Sequence, residues 1–227
     1  QKSSSPATTS LFSISSKSKN NLPIQLTAFI GREKEIEEVI ESIKNHRLVT
    51  LTGSGGTGKT RLSLQVAENL LDQFEYFWFV ELAPISDPAN IPQAILSAMG
   101  ISEQQGKSAQ ELINEYLQDK NTLIVLDNCE HLIEASAKIS YALLNHAPAL
   151  KILASSREAL GVKGEMAWHV PSLSVPDINH LPEFDELSQY ESIRLFVERA
   201  TLAKPNFTAT KENAAFIAQV CSRLDGI

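Results

Sequence analysis

Eight residues, GSGGTGKT at positions 53–60, constrain the fold of this chain more than any other stretch. They satisfy G-x-x-x-x-G-K-[ST] in the context that pattern requires, between a β-rich run at 48–51 (LVTL) and a helix carrying Leu62, Leu64, Val66, Leu70 and Leu71. Gly53, Gly55, Gly56 and Gly58, with Thr57 among them, let successive backbone N–H groups turn inward around an anion. The following helix adds the positive end of its dipole. Lys59 is placed to set its ammonium between the β- and γ-phosphates of a nucleotide, and the Thr60 hydroxyl to ligate Mg²⁺. The alternative is a glycine-rich strand–helix turn that binds nothing, and the match in its full context outweighs it.

Two further strand ends carry polar residues. The run 123–126 (LIVL) is apolar on both faces and ends in Asp127, at the edge where a parallel sheet opens onto its ligand crevice. Asp127 is thus a candidate Mg²⁺ partner beside Thr60; its other reading is a helix N-cap. Asn128 follows, where hydrolytic relatives often place a second acid. Glu130 is a nearby carboxylate that could serve as the base, or simply an acid in the first turn of a helix. The run 151–154 (KILA) ends in Ser155, Ser156 and Arg157. Arg157 reads as a γ-phosphate sensor that distinguishes ATP from ADP, the alternative being a surface pair with Glu158.

Strand-like and helical stretches alternate along the chain. Helical spacing runs through Ile36, Val39, Ile40 and Ile43, and again near 91–99, 109–117 and 132–144; strands are expected at 76–82 and 167–170. Alternation with continuously apolar strands specifies an α/β fold, a parallel sheet between helices. Pro171 and Pro176 break the pattern, and two amphipathic helices near 191–202 and 212–224 follow without another strand. The expected organisation is a linker over 1–26, a nucleotide-binding domain over 27–175, and the start of a helical lid subdomain over 176–227. The first 26 residues contain eight serines and no periodic apolar pattern, which suits a linker better than a transit peptide.

Composition sets the remaining bounds. The chain is 43% hydrophobic and 21% charged, with no apolar run near the roughly 18 residues a membrane span needs. Net charge is −7, and the first 32 residues carry only basic charges, which leaves an acidic body unsuited to nucleic-acid backbones. Cys129 and Cys221 match no zinc or redox spacing, so a cytoplasmic, reducing environment is expected and Cys129 reads as a buried small hydrophobe. The five histidines show no ligand spacing. The aromatics Phe74, Tyr76, Phe77, Trp78 and Phe79 read as sheet core, and Trp168 and His169 as packed strand residues.

Taken in order, Phe29-Ile-Gly-Arg-Glu33, the 53–60 loop, LIVLDNCEH at 123–131, SSRE at 155–158 and CSRLDGI at 221–227 resemble the signal-transduction ATPases with numerous domains, of NB-ARC or AP-ATPase type. The similarity is greatest to bacterial LuxR-like and antibiotic-regulatory transcriptional regulators and spans about residues 27–227. It implies a P-loop NTPase of the additional-strand kind, with the Arg157 strand between the Gly53 and Asp127 strands. It also implies ATP and ADP as ligands, and an adenine and ribose site at Phe29, Ile30 and Arg32; Phe29 and Ile30 could equally form a hydrophobic staple before the first helix. Arg61 joins the loop residues as a nucleotide contact.

The resemblance further implies an ATP/ADP switch with slow Mg²⁺-dependent hydrolysis, self-association when ATP-bound, and effector and sensor domains outside this chain. Asn128, in place of a second acid, follows the bacterial form of the motif. Family members continue beyond the position of Ile227 with a proline whose lid segment contacts ADP. The competing class is a multiple-turnover remodelling or loading ATPase of the AAA+ kind. A small-molecule kinase would need an acceptor pocket and a basic lid that the sequence does not name.

Overall fold

The computed structural model describes residues 19–227. Among them, six parallel strands form one sheet in the order β1-β3-β4-β5-β2-β6. The strands are β1 Lys19–Asn20, β2 Leu48–Thr52, β3 Tyr76–Glu81, β4 Thr122–Asp127, β5 Lys151–Ser155 and β6 Glu165–His169. Helices α1 (Glu33–Asn45) and α2 (Lys59–Asn69) cover one face; α3 (Ile91–Ala98), α4 (Ala109–Leu117) and α5 (Ile133–His146) cover the other. The lid follows as α6 (Phe184–Leu187), α7 (Glu191–Ala203) and α8 (Ala214–Arg223). β5 lies between β2 and β4, the inserted-strand order that the family resemblance implies.

The two-sided sheet follows from the period of two along its central strands. In β4, Leu123 and Val125 turn toward Val39, Leu62 and Val66, whereas Ile124 and Leu126 turn toward Ile95, Ile113 and Leu143. All four strand residues are fully buried, and each such burial stabilises the fold by roughly 1.5–3 kcal/mol. The aromatic run divides in the same way. Phe74 and Phe77 meet edge to face at 5.6 Å on the α1–α2 side, while Tyr76 and Trp78 lie on the other. Cys129 and Cys221 are both free and buried.

Several local features depart from the sequence expectations. Of the linker expected over 1–26, residues 1–18 lie outside the described part, and Lys19–Asn20 join the sheet edge opposite Tyr76 and Phe77. Asn21 prolongs that pairing with its side chain: Nδ2 donates to the Phe79 carbonyl at 2.9 Å, and Oδ1 accepts from the Phe79 N–H at 2.7 Å. A polar K-N-N run carries no apolar pattern, so nothing local announces this strand. β6 starts two residues earlier than expected. Trp168 packs against the core, but His169 is exposed, because alternation along an edge strand turns it to the opposite face. The short α6 was not anticipated.

The lid has its own small core, in which Ile193 of α7 meets Ile217, Ala218 and Cys221 of α8. Phe196 and Phe207 stand edge to face at 6.1 Å beside it. No helix among the described residues is long and apolar enough to cross a membrane.

Candidate functional site

The strand register gathers the polar ends at one edge of the sheet, with Leu51 opposite Ser155 and Glu81 opposite Asp127. The 53–58 loop leaves β2 at that edge and turns into α2 at Gly58, whose φ of 85° favours glycine. Lys59 is buried and curls over its own loop, donating from Nζ to the Gly53 and Ser54 carbonyls at 2.8 Å each. Burial lowers its pKa, Glu130 counters that most strongly, Arg157 adds to it and Asp127 counters it further. Those four side chains therefore share one electrostatic site at the mouth of the loop. An entering phosphate oxygen can take the ammonium from the two carbonyls while adding negative charge that favours its protonated form.

Asp127 accepts from the Thr60 hydroxyl at 2.8 Å on Oδ1 and 3.0 Å on Oδ2. Ser155 Oγ donates to Oδ1 at 2.5 Å and accepts from the Asn128 N–H at 2.9 Å. The carboxylate is thus held from both sides, and the N-cap alternative fails: α5 begins at Ile133 with Leu132 as its cap. A hydroxyl and a carboxylate side by side form a hard-oxygen pair of the type Mg²⁺ takes. Sequence reasoning missed Ser155, for which the signal is its place at the tip of the strand beside Asp127.

Asn128 stands in a left-handed conformation (φ 64°, ψ 54°), and a 3₁₀ turn, Cys129–His131, follows it. That turn carries Glu130, which pairs with Arg157 at 3.1 Å between Oε1 and Nε. Arg157 is thus partnered by Glu130 in place of the Glu158 considered from sequence. With side chains 68% and 21% exposed, the pair contributes at most about 1 kcal/mol and is easily exchanged. Beneath it, the Cys129 thiol is pushed up to about 12, chiefly by burial, and stays protonated at neutral pH.

Arg32 caps α1 in a left-handed conformation and is buried. One guanidinium nitrogen, Nη2, donates to the Thr57 carbonyl of the loop at 2.9 Å and to the Pro171 carbonyl at 2.8 Å. Burial lowers the pKa of this guanidinium against the pull of Glu35 and Glu191, and its other terminal nitrogen, Nη1, is buried without a partner. Gly31, at the position before the cap, has no side chain to form a staple, but Phe29 packs in the same apolar cluster as Ile36 and Ile40 of α1. Arg61 fastens the incoming segment, donating to Thr27 Oγ1 at 2.7 Å and to the Thr27 and Ala28 carbonyls at 3.0 Å each, with Phe29 6.0 Å below.

The lid closes over this assembly. A cleft of about 190 Å³ is walled by Phe29, Ile30, Arg32, Gly56, Thr57, Gly58, Arg61 and Leu173 on the sheet side and by Leu195, Arg199, Gly226 and Ile227 on the lid side. A Cβ placed on Gly56 would lie 2.6 Å from Ile227 Cγ2, so Ile227 rests on the loop. The Leu173 N–H donates to the Gly226 carbonyl at 3.1 Å. Glu191 Oε1 accepts from the Arg32 N–H at 2.7 Å, and its Oε2 from the Ser174 N–H at 3.3 Å. Sequence reasoning missed Glu191, which looks like any acid starting a helix. A larger apolar cavity of about 480 Å³ lies among the lid helices, walled by Leu187, Val197 and Ile217. No residue of the phosphate loop reaches it, whereas Gly56, Thr57 and Gly58 line the smaller cleft, which makes that cleft the candidate site.

Comparison with known proteins agrees with this geometry. The NB-ARC domain model matches residues 32–171. A Mycobacterium tuberculosis protein described as an HTH-type transcriptional regulator is 40% identical over 185 residues, 82% of this chain and 19% of the relative. An uncharacterised protein of the same organism is 37% identical over 203 residues, 89% of this chain and 48% of its own length. The chain therefore spans about a fifth of the first relative and about half of the second. Among solved structures, a signal-transduction ATPase with numerous domains and a tetratricopeptide repeat sensor, from Pyrococcus horikoshii, superposes with a TM-score of 0.51 at 15% identity, over 93% of this chain and 29% of that one. Cdc6p from Pyrobaculum aerophilum gives 0.50 at 16% identity, over 83% and 53%. With its phosphate loop, its inserted-strand sheet and a match over residues 32–171, the chain belongs to the NB-ARC domain family of P-loop nucleotide-binding modules.

Proposed function

We propose that this module is an ATP/ADP-operated molecular switch within a larger signalling or transcriptional regulator, reset by slow Mg²⁺-dependent ATP hydrolysis. The observation that carries the reading is the seating of Ile227 and Glu191 on the loop and on Arg32, which ties lid position to the nucleotide cleft. The functional units are a nucleotide-binding domain over 27–175 and a lid over 176–227. The name of the mycobacterial relative supports a place in gene regulation.

In the resting state Lys59, the loop N–H groups and Arg61 hold ADP, and Phe29, Ile30 and Arg32 enclose its adenosine end. Thr60 and Asp127 hold Mg²⁺, which when bound neutralises phosphate charge. ATP adds a γ-phosphate in front of Lys59 and Arg157, and this extra anion disfavours the closed arrangement. Complete switching requires the two lid positions to differ by about 10⁴-fold in their relative preference for ATP over ADP. The open form self-associates and releases an effector domain outside this chain.

The test is equilibrium binding of ADP and a non-hydrolysable ATP analogue, together with the steady-state hydrolysis rate. The switch predicts tight ADP binding and turnover well below about 1 s⁻¹, the lower end of ordinary enzymes. Rapid, sustained turnover would instead identify a remodelling or loading ATPase.

A further inference from the structure

We infer that Glu130 is the general base of ATP hydrolysis in this module and that Arg157 restrains it until a γ-phosphate arrives. The inference rests on the switch reading above, since it assigns the residue behind the reset step.

Asn128 holds the position directly after the magnesium carboxylate, but its amide cannot accept a proton at neutral pH, and its N–H is tied to Ser155 Oγ. Asp127 is equally committed, with both carboxylate oxygens bonded by Thr60 and Oδ1 by Ser155 as well. Glu130 is differently placed. The left-handed turn at Asn128 and the Cys129–His131 turn bring it back across the strand end, between two fixed neighbours. Cys129 is fully buried on one side, and His131 Nε2 meets the Ile85 carbonyl at 2.9 Å on the other. Glu130 is the first-turn acid of the short Cys129–His131 turn, whereas Glu134 holds that place in α5, which starts at Ile133.

The surroundings of Glu130 point the same way. Its carboxylate pairs with Arg157 at 3.1 Å, and both act electrostatically on Lys59, which places Glu130 at the mouth of the phosphate loop. A γ-phosphate competes for Arg157 with more negative charge than one carboxylate has. As Arg157 turns to the phosphate, Glu130 is released to a water at the open end of the loop. Glu130 takes a proton from that water as its oxygen bonds to the γ-phosphorus. The bond from phosphorus to the β–γ bridging oxygen breaks, its electron pair stays with ADP, and inorganic phosphate and ADP result. One event thereby reports the γ-phosphate and arms its removal.

The experiment measures single-turnover hydrolysis, ADP affinity and the ATP:ADP ratio of retained nucleotide for the wild type, Glu130→Gln and Glu134→Gln. Glu130→Gln is expected to slow hydrolysis by about 100-fold or more and to retain ATP, with ADP affinity changed by less than about threefold. Glu134→Gln is expected to match the wild type in all three. Hydrolysis by Glu130→Gln within about threefold of wild type overturns the assignment. So does a wild type that binds ATP without hydrolysing it, although nucleotide-dependent switching would survive. A wild type that binds neither nucleotide overturns the switch reading itself.

Discussion

The carboxylate of Glu191, the first residue of α7, accepts a hydrogen bond from the backbone N–H of Arg32 at 2.7 Å. The same carboxylate accepts from the Ser174 N–H, and a Cβ on Gly31 would collide with it. The lid is therefore keyed to the segment that caps α1 by the Glu191 side chain, across a chain separation of 159 residues. Arg32 completes the link, because its guanidinium joins the phosphate loop to the segment leading into the lid.

Glu191→Gln removes the charge from this junction but keeps its shape. Hydrogen bonds to charged groups contribute about 1.5–3 kcal/mol, so ADP release is expected to accelerate by about tenfold or more. Stopped-flow displacement of a fluorescent ADP analogue measures it. An unchanged release rate would mean that the junction does not hold the lid closed.

Ser155→Ala deletes the 2.5 Å bond to Asp127 and leaves the Asn128 N–H without its acceptor. The Asp127 carboxylate is then oriented by the Thr60 hydroxyl alone. The Mg²⁺ concentration for half-maximal nucleotide binding is expected to rise by about tenfold, the lower end of losses on removing such a supporting partner. Titrating Mg²⁺ at fixed ADP reads it, and an unshifted midpoint would remove Ser155 from the site.

The Cys129 thiol is pushed from an ordinary value of 9.0 up to about 12, mainly by burial. Its neutral form is favoured in the folded state. The resulting stabilisation is complete below pH 9 and is lost as pH rises from 9 toward 12. Urea midpoints of the wild type should therefore fall more steeply over this window than those of Cys129→Ala. Parallel curves would contradict the assignment.

Legibility in the sequence followed the physics of each element. β4 was evident because an apolar run buried on both faces allows few alternatives, and α4 because residues 109–117 carry helical apolar spacing. The β4-β5-β2 order came only from the family resemblance, since strand neighbours leave no trace in local periodicity. β1 escaped because the Asn21 side chain supplies ladder bonds in place of backbone. At the site, residues on one loop or at one strand tip were readable from spacing: Lys59, Thr60, Asp127 and Arg157 do converge. What stayed hidden joins distant segments, namely Glu191 to Arg32 and Ile227 to Gly56. The pairing of Arg157 with Glu130 also stayed hidden, because the left-handed turn at Asn128 redirects Glu130 in a way that residue spacing does not reveal.

The proposed switch rests with nucleotide held at the phosphate loop. The nucleotide content of the purified, heat-denatured protein, read by chromatography with Lys59→Ala as control, tests this. Near-stoichiometric ADP is expected in the wild type, and a loss of affinity of at least about tenfold, or roughly 1.4 kcal/mol, in Lys59→Ala. A wild type that emerges empty and turns over added ATP repeatedly, or a Lys59→Ala protein that retains as much ADP, would contradict it.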